Sequence, residues 1–339
     1  MKKLTVVLAV VLIIAGLSSC ETDFDVTAEW KDIPVVYGLL DQNDSVHYVK
    51  VNKAFLGDGN LLEYAQNQDS SLYDDIKVIM EEIDDGELRR AIQMDTATIH
   101  NKDSGAFFYP DQILYTTGTE NAIYLNKNYS YRLKVIDKPT NNVKASASTN
   151  LVHGMVLTQP RITPNMEVHF PDYGTKSVEW LSAVNGTRYQ VKIYFNYEER
   201  MKNGNTVRRT LTWNPFEVQQ IKDTTGGKEM KTAFENEAYY DFIAENVPYE
   251  DTDKEEQVNL RVAKNFTFEV SVASQVFDKY MEIYQPSESI VQYRPEYTNI
   301  SNGIGLFSSR TAVSRTFAPQ KPTRGYLSDL GVKFQDTNQ

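Results

Sequence analysis

YSYRLKV, residues 129–135, alternates with a period of two: Tyr129, Tyr131, Leu133 and Val135 fall on one side, Ser130, Arg132 and Lys134 on the other. That period places every second side chain on the same face of a β-strand, so a half-buried strand is expected here. Beyond a polar turn at 137–142, Val143, Ala145 and Ala147 again share a face and supply an antiparallel partner. Toward the N-terminus the same reading predicts strands over 33–40 and 46–55 and a short helix over 61–68 with Leu61, Leu62 and Ala65 on one side. Strands at 76–83 and 88–94 follow, joined through Asp84-Asp85-Gly86-Glu87, whose Asp-Gly pair favours a tight hairpin. With a further strand at 113–117, about seven short strands lie in roughly 120 residues with no long helix between them, the pattern of a sandwich. An immunoglobulin- or transthyretin-like β-sandwich is therefore expected over 32–152.

Proline and glycine then interrupt the pattern at Pro160, Pro164 and Pro171-Asp172-Tyr173-Gly174, which marks 153–175 as a linker or domain join. Strands resume at 177–181, 186–197, 206–213 and 266–273, with Tyr189, Val191, Ile193 and Phe195 on one face of the second. Residues 234–245 read as an amphipathic helix with Phe234, Ala238, Phe242 and Ile243 as its stripe, and 274–284 as a helix started by Ser274. A second β-rich domain with one or two short helices is expected over 176–325, and a polar tail over 326–339. The fold class is mainly β. Composition agrees: 21 Tyr and 15 Phe against 8 Met favour strands over helices.

The formal net charge of -11 would repel nucleic acid and anionic lipid surfaces, so nucleic acid is set aside as a partner. Location is written at the N-terminus. Lys2 and Lys3 precede an apolar run over 4–15 that is too short for a membrane span, which needs about 20 residues, and has the form of an export signal. Leu17, Ser18 and Ser19 lead into Cys20, the chain's single cysteine, in the arrangement of a lipobox. Residues 1–19 are read as the signal peptide and 20–31 as an acidic tether. Cys20 is expected to carry a diacylglycerol and an N-acyl chain, and several acyl chains at about 0.8 kcal/mol per buried methylene make such an anchor permanent. Glu21, Asp23 and Asp25 directly after it resemble the surface-export signal of Bacteroidota lipoproteins. The resemblance implies an outer-membrane protein facing the cell exterior.

Residues 297–307, Tyr297-Thr298-Asn299-Ile300-Ser301-Asn302-Gly303-Ile304-Gly305-Leu306-Phe307, resemble the closing segment of an uncharacterised Bacteroidota lipoprotein family. Its members end on Asn-Ile, a glycine pair and an aromatic residue. Here Asn302-Gly303 stands where the glycine pair is usual. The strands at 35–40, 48–52 and 131–135 also look like that family's first domain. The resemblance implies an envelope lipoprotein with an immunoglobulin-like first domain, often found among uptake or surface proteins, and no activity to carry over.

Catalytic motifs are not apparent. His47, His100, His153 and His169 lie apart, with no His-x-x-x-His pair, and neither a Gly-x-Ser-x-Gly elbow nor a phosphate loop occurs. Gly303 and Gly305 precede no helix and are read as backbone freedom in a turn. The acidic runs at 81–87 and 250–256 are read as solvated, with Ca²⁺ at Asp251 and Asp253 as the alternative, since calcium wants six to eight oxygens. The expected function is non-enzymatic: an accessory subunit of an outer-membrane uptake, secretion or assembly complex, touching an outer-membrane channel or other envelope proteins and anchored in outer-membrane lipid. A surface glycan- or peptide-binding lipoprotein is the alternative, and a hydrolase with a non-local site a third. The wide spacing of Trp30, Trp180 and Trp213 favours the first over the second.

Overall fold

The computed structural model describes residues 33–54, 61–100, 102–105, 108–109, 111–118, 122–247, 257–284 and 296–336. Leu17, Ser18, Ser19, Cys20, Glu21, Asp23, Asp25, Asp251 and Asp253 lie outside them. The chain is mainly β, with 53% of residues in strands and 13% helical, so strand pairing rather than helix packing sets its architecture. In chain order the first half contains β1 (Ile33–Leu40), β2 (Tyr48–Ala54), α1 (Leu61–Gln66), α2 (Gln68–Ser71), β3 (Ile76–Asp84), β4 (Glu87–Ile99), β5 (Gln112–Thr116), β6 (Ser130–Asp137) and β7 (Val143–Asn150). The second contains β8 (Val156–Gln159), β9 (Glu167–Val168), β10 (Thr175–Leu181), β11 (Gly186–Met201), β12 (Thr206–Trp213), β13 (Gln219–Gln220), β14 (Glu229–Glu235), α3 (Asn236–Asn246), β15 (Val258–Ser274), α4 (Gln275–Tyr284), β16 (Ile304–Pro319) and α5 (Lys321–Asp329).

The strand at 129–135 does what its alternation requires. Tyr131, Leu133 and Val135 are buried on β6, and β7 pairs with it in register, Leu133 opposite Ala147 and Val135 opposite Ala145. These residues meet Val36 and Leu40 of β1, Val49 and Val51 of β2 and Val78 and Met80 of β3 in one core. The long β4 lets the sheet fold over on itself: residues 87–94 pair with β3 and residues 95–99 with β5. Strands that pass from one layer to the other are how a sandwich turns its corners.

One pairing lies beyond any local pattern. Ile304 to Ser309 of β16 run parallel to β1, with Val36 opposite Gly305, while Arg310 to Phe317 run antiparallel to β15. A single strand therefore belongs to both halves, and the path β12-β11-β15-β16-β1-β2-β5-β4-β3-β6-β7 is continuous. Ile300 and Phe307, from the far end of the chain, are buried in the first core. Gly303 lies in the bend after Asn302, as expected of a turn glycine, whereas Gly305 lies within β16. Gly305 has φ +114 at the start of β16, and a Cβ there would run into the Val36 carbonyl, its carbon 2.9 Å away. Asn299 fastens the same segment, its side chain donating to the Phe307 carbonyl (2.7 Å) and accepting from the Phe307 N–H (2.9 Å).

The second core is aromatic. Phe195 and Phe266 stack with centroids 5.1 Å apart, and Phe170 sits 4.9 Å from Phe266. Aromatic pairs at such spacings contribute about 0.5–1.5 kcal/mol beyond their area burial. Phe170 and Val168 are buried, so the 153–175 segment expected as a linker is part of this core. The helix expected at 234–245 begins at Asn236, because Phe234 belongs to β14, opposite Lys176 of β10. Its buried face is Tyr239, Tyr240 and Ile243; Ala238 is exposed and Phe242 half-buried. Ser274 both ends β15 and directly precedes α4, the helix expected to start there, and its hydroxyl lies 2.6 Å from that of Ser308. The polar tail expected from 326 onward also packs: Leu327, Val332 and Phe334 are buried. Arg261 explains why. Fully buried, it pairs with Glu199 (3.1 Å) directly opposite on β11 and donates to the Val332 carbonyl (2.8 Å).

Candidate functional site

The alternation on β11 that buries Tyr189, Val191, Ile193 and Phe195 turns Arg188, Gln190, Lys192 and Tyr194 to the opposite, outer face. Register extends that face across the sheet. Arg188 lies beside Ala273 and Arg310, Gln190 beside Ser271 and Ala312, and Lys192 beside Glu269 and Ser314. The middle row has the short side chains of Ser271 and Ala312 beside uncharged Gln190, and the charged residues Arg188, Arg310, Lys192 and Glu269 stand in the rows on either side. A cavity of about 420 Å³ opens there, walled by Phe277 and Met281 of α4, a helix that packs on β11, β15 and β16.

Each charge on this face can be followed to its partner. Arg188 donates to Asp278 of α4 (2.9 Å), which also accepts from Gln220 (2.6 Å). Tyr194 donates to Glu269 (3.0 Å); burial first, then the carboxylate it faces, pushes the phenol up to about 12. Asp41, in the loop after β1, accepts from the Thr311 hydroxyl (2.9 Å). Lys192 and Arg310 have no hydrogen-bond or ion-pair partner among the described residues. The same helix α4 brings Tyr280 against Tyr37 of β1, edge to face at 6.4 Å, and Tyr284 beside Tyr280 at 4.4 Å, and Tyr37 lines a separate cavity of about 450 Å³. Tyr37 and Tyr284 remain 42% and 39% exposed, which leaves ring surface for a ligand. Burial, followed by the contact with Tyr37, raises the Tyr280 phenol well above its ordinary range, so it stays a neutral hydrogen-bonding group.

The histidines are placed apart, as their spacing suggested. His47 is buried, with Nε2 3.0 Å from the Ile123 carbonyl; burial lowers its pKa against that hydrogen bond and against Asp44 and Asp41. His100 contacts Asp111 at 2.5 Å on the surface, His169 lies 3.4 Å from the Thr323 hydroxyl, and burial followed by Lys127 lowers His153. Among the described residues no three His, Cys, Asp or Glu side chains group closely enough to hold a metal ion.

The acidic run at 81–87 is solvated only in part: Asp85 and Glu87 are exposed as expected and Asp84 is half-buried. Glu81 and Glu82 are buried, because the strands beside β3 carry their counterions at matching positions. Glu81, opposite Arg132 and diagonal to Lys134 on β6, contacts them at 2.6 and 2.7 Å. Burial works against its charge, but those two hydrogen bonds outweigh it and hold its carboxyl below the ordinary value. Glu82 pairs with Arg90 opposite it on β4 at 2.6 Å. Trp180 and Trp213 are buried in the second core, so neither offers a surface for stacking.

The outer face itself was open to sequence reasoning in part. Alternation on β11 assigns Arg188, Gln190 and Lys192 to one side; nothing in the sequence brings Glu269 and Arg310 to them, since that needs the register of three strands. Comparison with protein-family models finds no match, and none of the curated proteins compared matches the chain.

Proposed function

We propose that this chain is a non-enzymatic, lipid-anchored envelope protein of the outer membrane, facing the cell exterior, which serves an uptake, secretion or assembly complex by holding a ligand or partner on the outer face of β11, β15 and β16. One observation carries the reading: a cavity of about 420 Å³ on that face is bordered by two cations, Lys192 and Arg310, without a partner among the described residues. Ligand pockets combine apolar walls with a few polar or charged groups placed to orient what binds. None of the four histidines lines this cavity. Lipidation at Cys20 and sorting by Glu21, Asp23 and Asp25 supply the location, in agreement with the likeness of 297–307 to Bacteroidota lipoproteins.

The test is isolation of the tagged native protein from detergent-solubilised membranes. Stoichiometric recovery of a second envelope protein is expected. Recovery of the monomer alone, under conditions that keep other envelope complexes intact, contradicts the assembly reading. A second reading, an independent glycan- or peptide-binding module, is favoured by the exposed rings of Tyr37 and Tyr284, the former lining a separate cavity of about 450 Å³, since aromatic faces hold sugar rings and peptide side chains alike.

A further inference from the structure

The geometry points to a carboxylate-bearing saccharide, of the uronic acid class, as the ligand of the cavity between β11, β15, β16 and α4. This inference rests on the outer face being the binding face, as proposed above. Strand spacing sets the scale. Rows on one face of a sheet are about 7 Å apart and neighbouring strands about 4.8 Å apart, so three rows over three strands span roughly 14 by 10 Å, the footprint of one or two sugar rings.

Three properties of the cavity restrict what fits. First, Arg188, Glu269 and Asp41 already have protein partners, whereas half-buried Lys192 and exposed Arg310 have none among the described residues and are open to a negative group of a ligand. The chain as a whole carries -11 and repels anions, so an anionic ligand is attracted only where cations gather locally. Second, Glu269 and Asp41 line the same cavity and retain acceptor capacity, as a carboxylate offers about four lone-pair sites. With Gln190 and Ser271 they form a set suited to hydroxyl groups. A simple anion or a fatty acid would leave those acceptors facing its own charge or its alkyl chain. Third, Phe277 and Met281 wall one side with apolar surface, which matches the C–H face of a pyranose ring. Acid, vicinal hydroxyls and an apolar ring face occur together in a uronic acid.

The test is saturation-transfer NMR on the full chain in detergent, with three probes: digalacturonate, its methyl ester, which keeps the hydroxyls and loses the charge, and succinate, which keeps the charge and loses the hydroxyls. Binding of digalacturonate well above both others is expected. It should weaken about tenfold in Lys192→Gln and in Arg310→Gln, as loss of one charge-assisted contact implies, and should weaken in 0.5 M salt. Equal binding of ester and acid, or digalacturonate binding unchanged in the double variant, overturns the inference. Where the ester binds and Ser271→Trp, which fills the floor, abolishes it, the acidic class is refuted while the outer face stands as the binding face. Failure of all three probes overturns the saccharide class. If the envelope partner recovered from membranes is then retained equally by Ser271→Trp, the outer-face reading falls as well.

Discussion

Replacing Gly305 by alanine tests how the two halves are joined. At φ +114 an L side chain is strained by about 1–3 kcal/mol wherever it sits. Here the new methyl would also press on the Val36 carbonyl, which belongs to the backbone of β1 and cannot rotate away. Forced overpacking of this kind costs about 1–3 kcal/mol more, so roughly 2–6 kcal/mol in all is expected. Against a total stability of about 5–15 kcal/mol, that is a large part of what holds the fold. Gly331→Ala is the control, because Gly331 also has positive φ (+75) but no neighbour within 4 Å of where the added methyl would lie, so it reports backbone strain alone. The assay is thermal and urea unfolding of both variants, followed by circular dichroism and tryptophan fluorescence. At about 3 °C per kcal/mol, Gly305→Ala should lower Tm by about 10 °C, Gly331→Ala by less than half of that. Weakening the β1–β16 pairing should fall mainly on the first core, which buries Ile300 and Phe307 from this end of the chain. Equal destabilisation by the two substitutions would refute the reasoning.

Other outcomes follow from the ion pairs and the N-terminus. Glu199→Gln leaves the fully buried Arg261 without its carboxylate and should cost about 3–5 kcal/mol while exposing 332–336 to protease, whereas the double change Glu199→Leu with Arg261→Met should recover much of the loss; equal stability of wild type and Glu199→Gln in urea would count against the buried pair. Because the folded pKa of Glu81 is depressed, its stabilisation is present above its ordinary value of 4.5 and is lost as pH falls through the lower folded value, so the gap between wild type and Glu81→Gln should close on acidification in a pH series of urea midpoints. Cys20→Ser should release the protein from membranes, and Glu21→Ala with Asp23→Ala and Asp25→Ala should keep it lipidated but protect it from protease added to intact cells; identical digestion would remove the sorting role. Calcium and sodium at matched ionic strength should shift Tm alike, and a calcium-specific rise of several degrees, lost in Asp251→Asn with Asp253→Asn, would assign a metal site to the 250–256 run.

Strands with strict alternation are legible almost to the residue. The expected 33–40 and 206–213 are the observed bounds of β1 and β12; β1 alternates between a buried and a wetter face, whereas β12 buries only Trp213 and is bounded by the turn before Thr206. Where one strand serves two neighbours the signal fails. In β16 the polar Ser308, Ser309 and Thr311 are buried in the middle, where the strand leaves β1 for β15, so no hydrophobic period runs through it. Ser309 is satisfied there by the Asn150 carbonyl (2.6 Å), a partner 159 positions away. The tail escapes a local reading for a related reason: its anchor is a buried arginine on another strand, not an apolar run of its own. Glu81 and Glu82 look solvated in the sequence because their counterions lie on β6 and β4, and only register brings them together. The candidate site is legible to the same extent. One strand of it shows in the alternation of β11, and the remainder is long-range pairing.

The most direct measurement is quantitative recovery of the envelope partner by wild type, by Lys192→Glu with Arg310→Glu, and by Tyr124→Ser with Tyr173→Ser. The last two residues are exposed aromatics away from the outer-face cavity and serve as the control surface. The account predicts undiminished recovery with the tyrosine variant and loss of about nine-tenths or more with the charge-reversed one, at equal melting temperatures, as a binding penalty of at least one charge-assisted contact implies. Full recovery by the charge-reversed protein would contradict it.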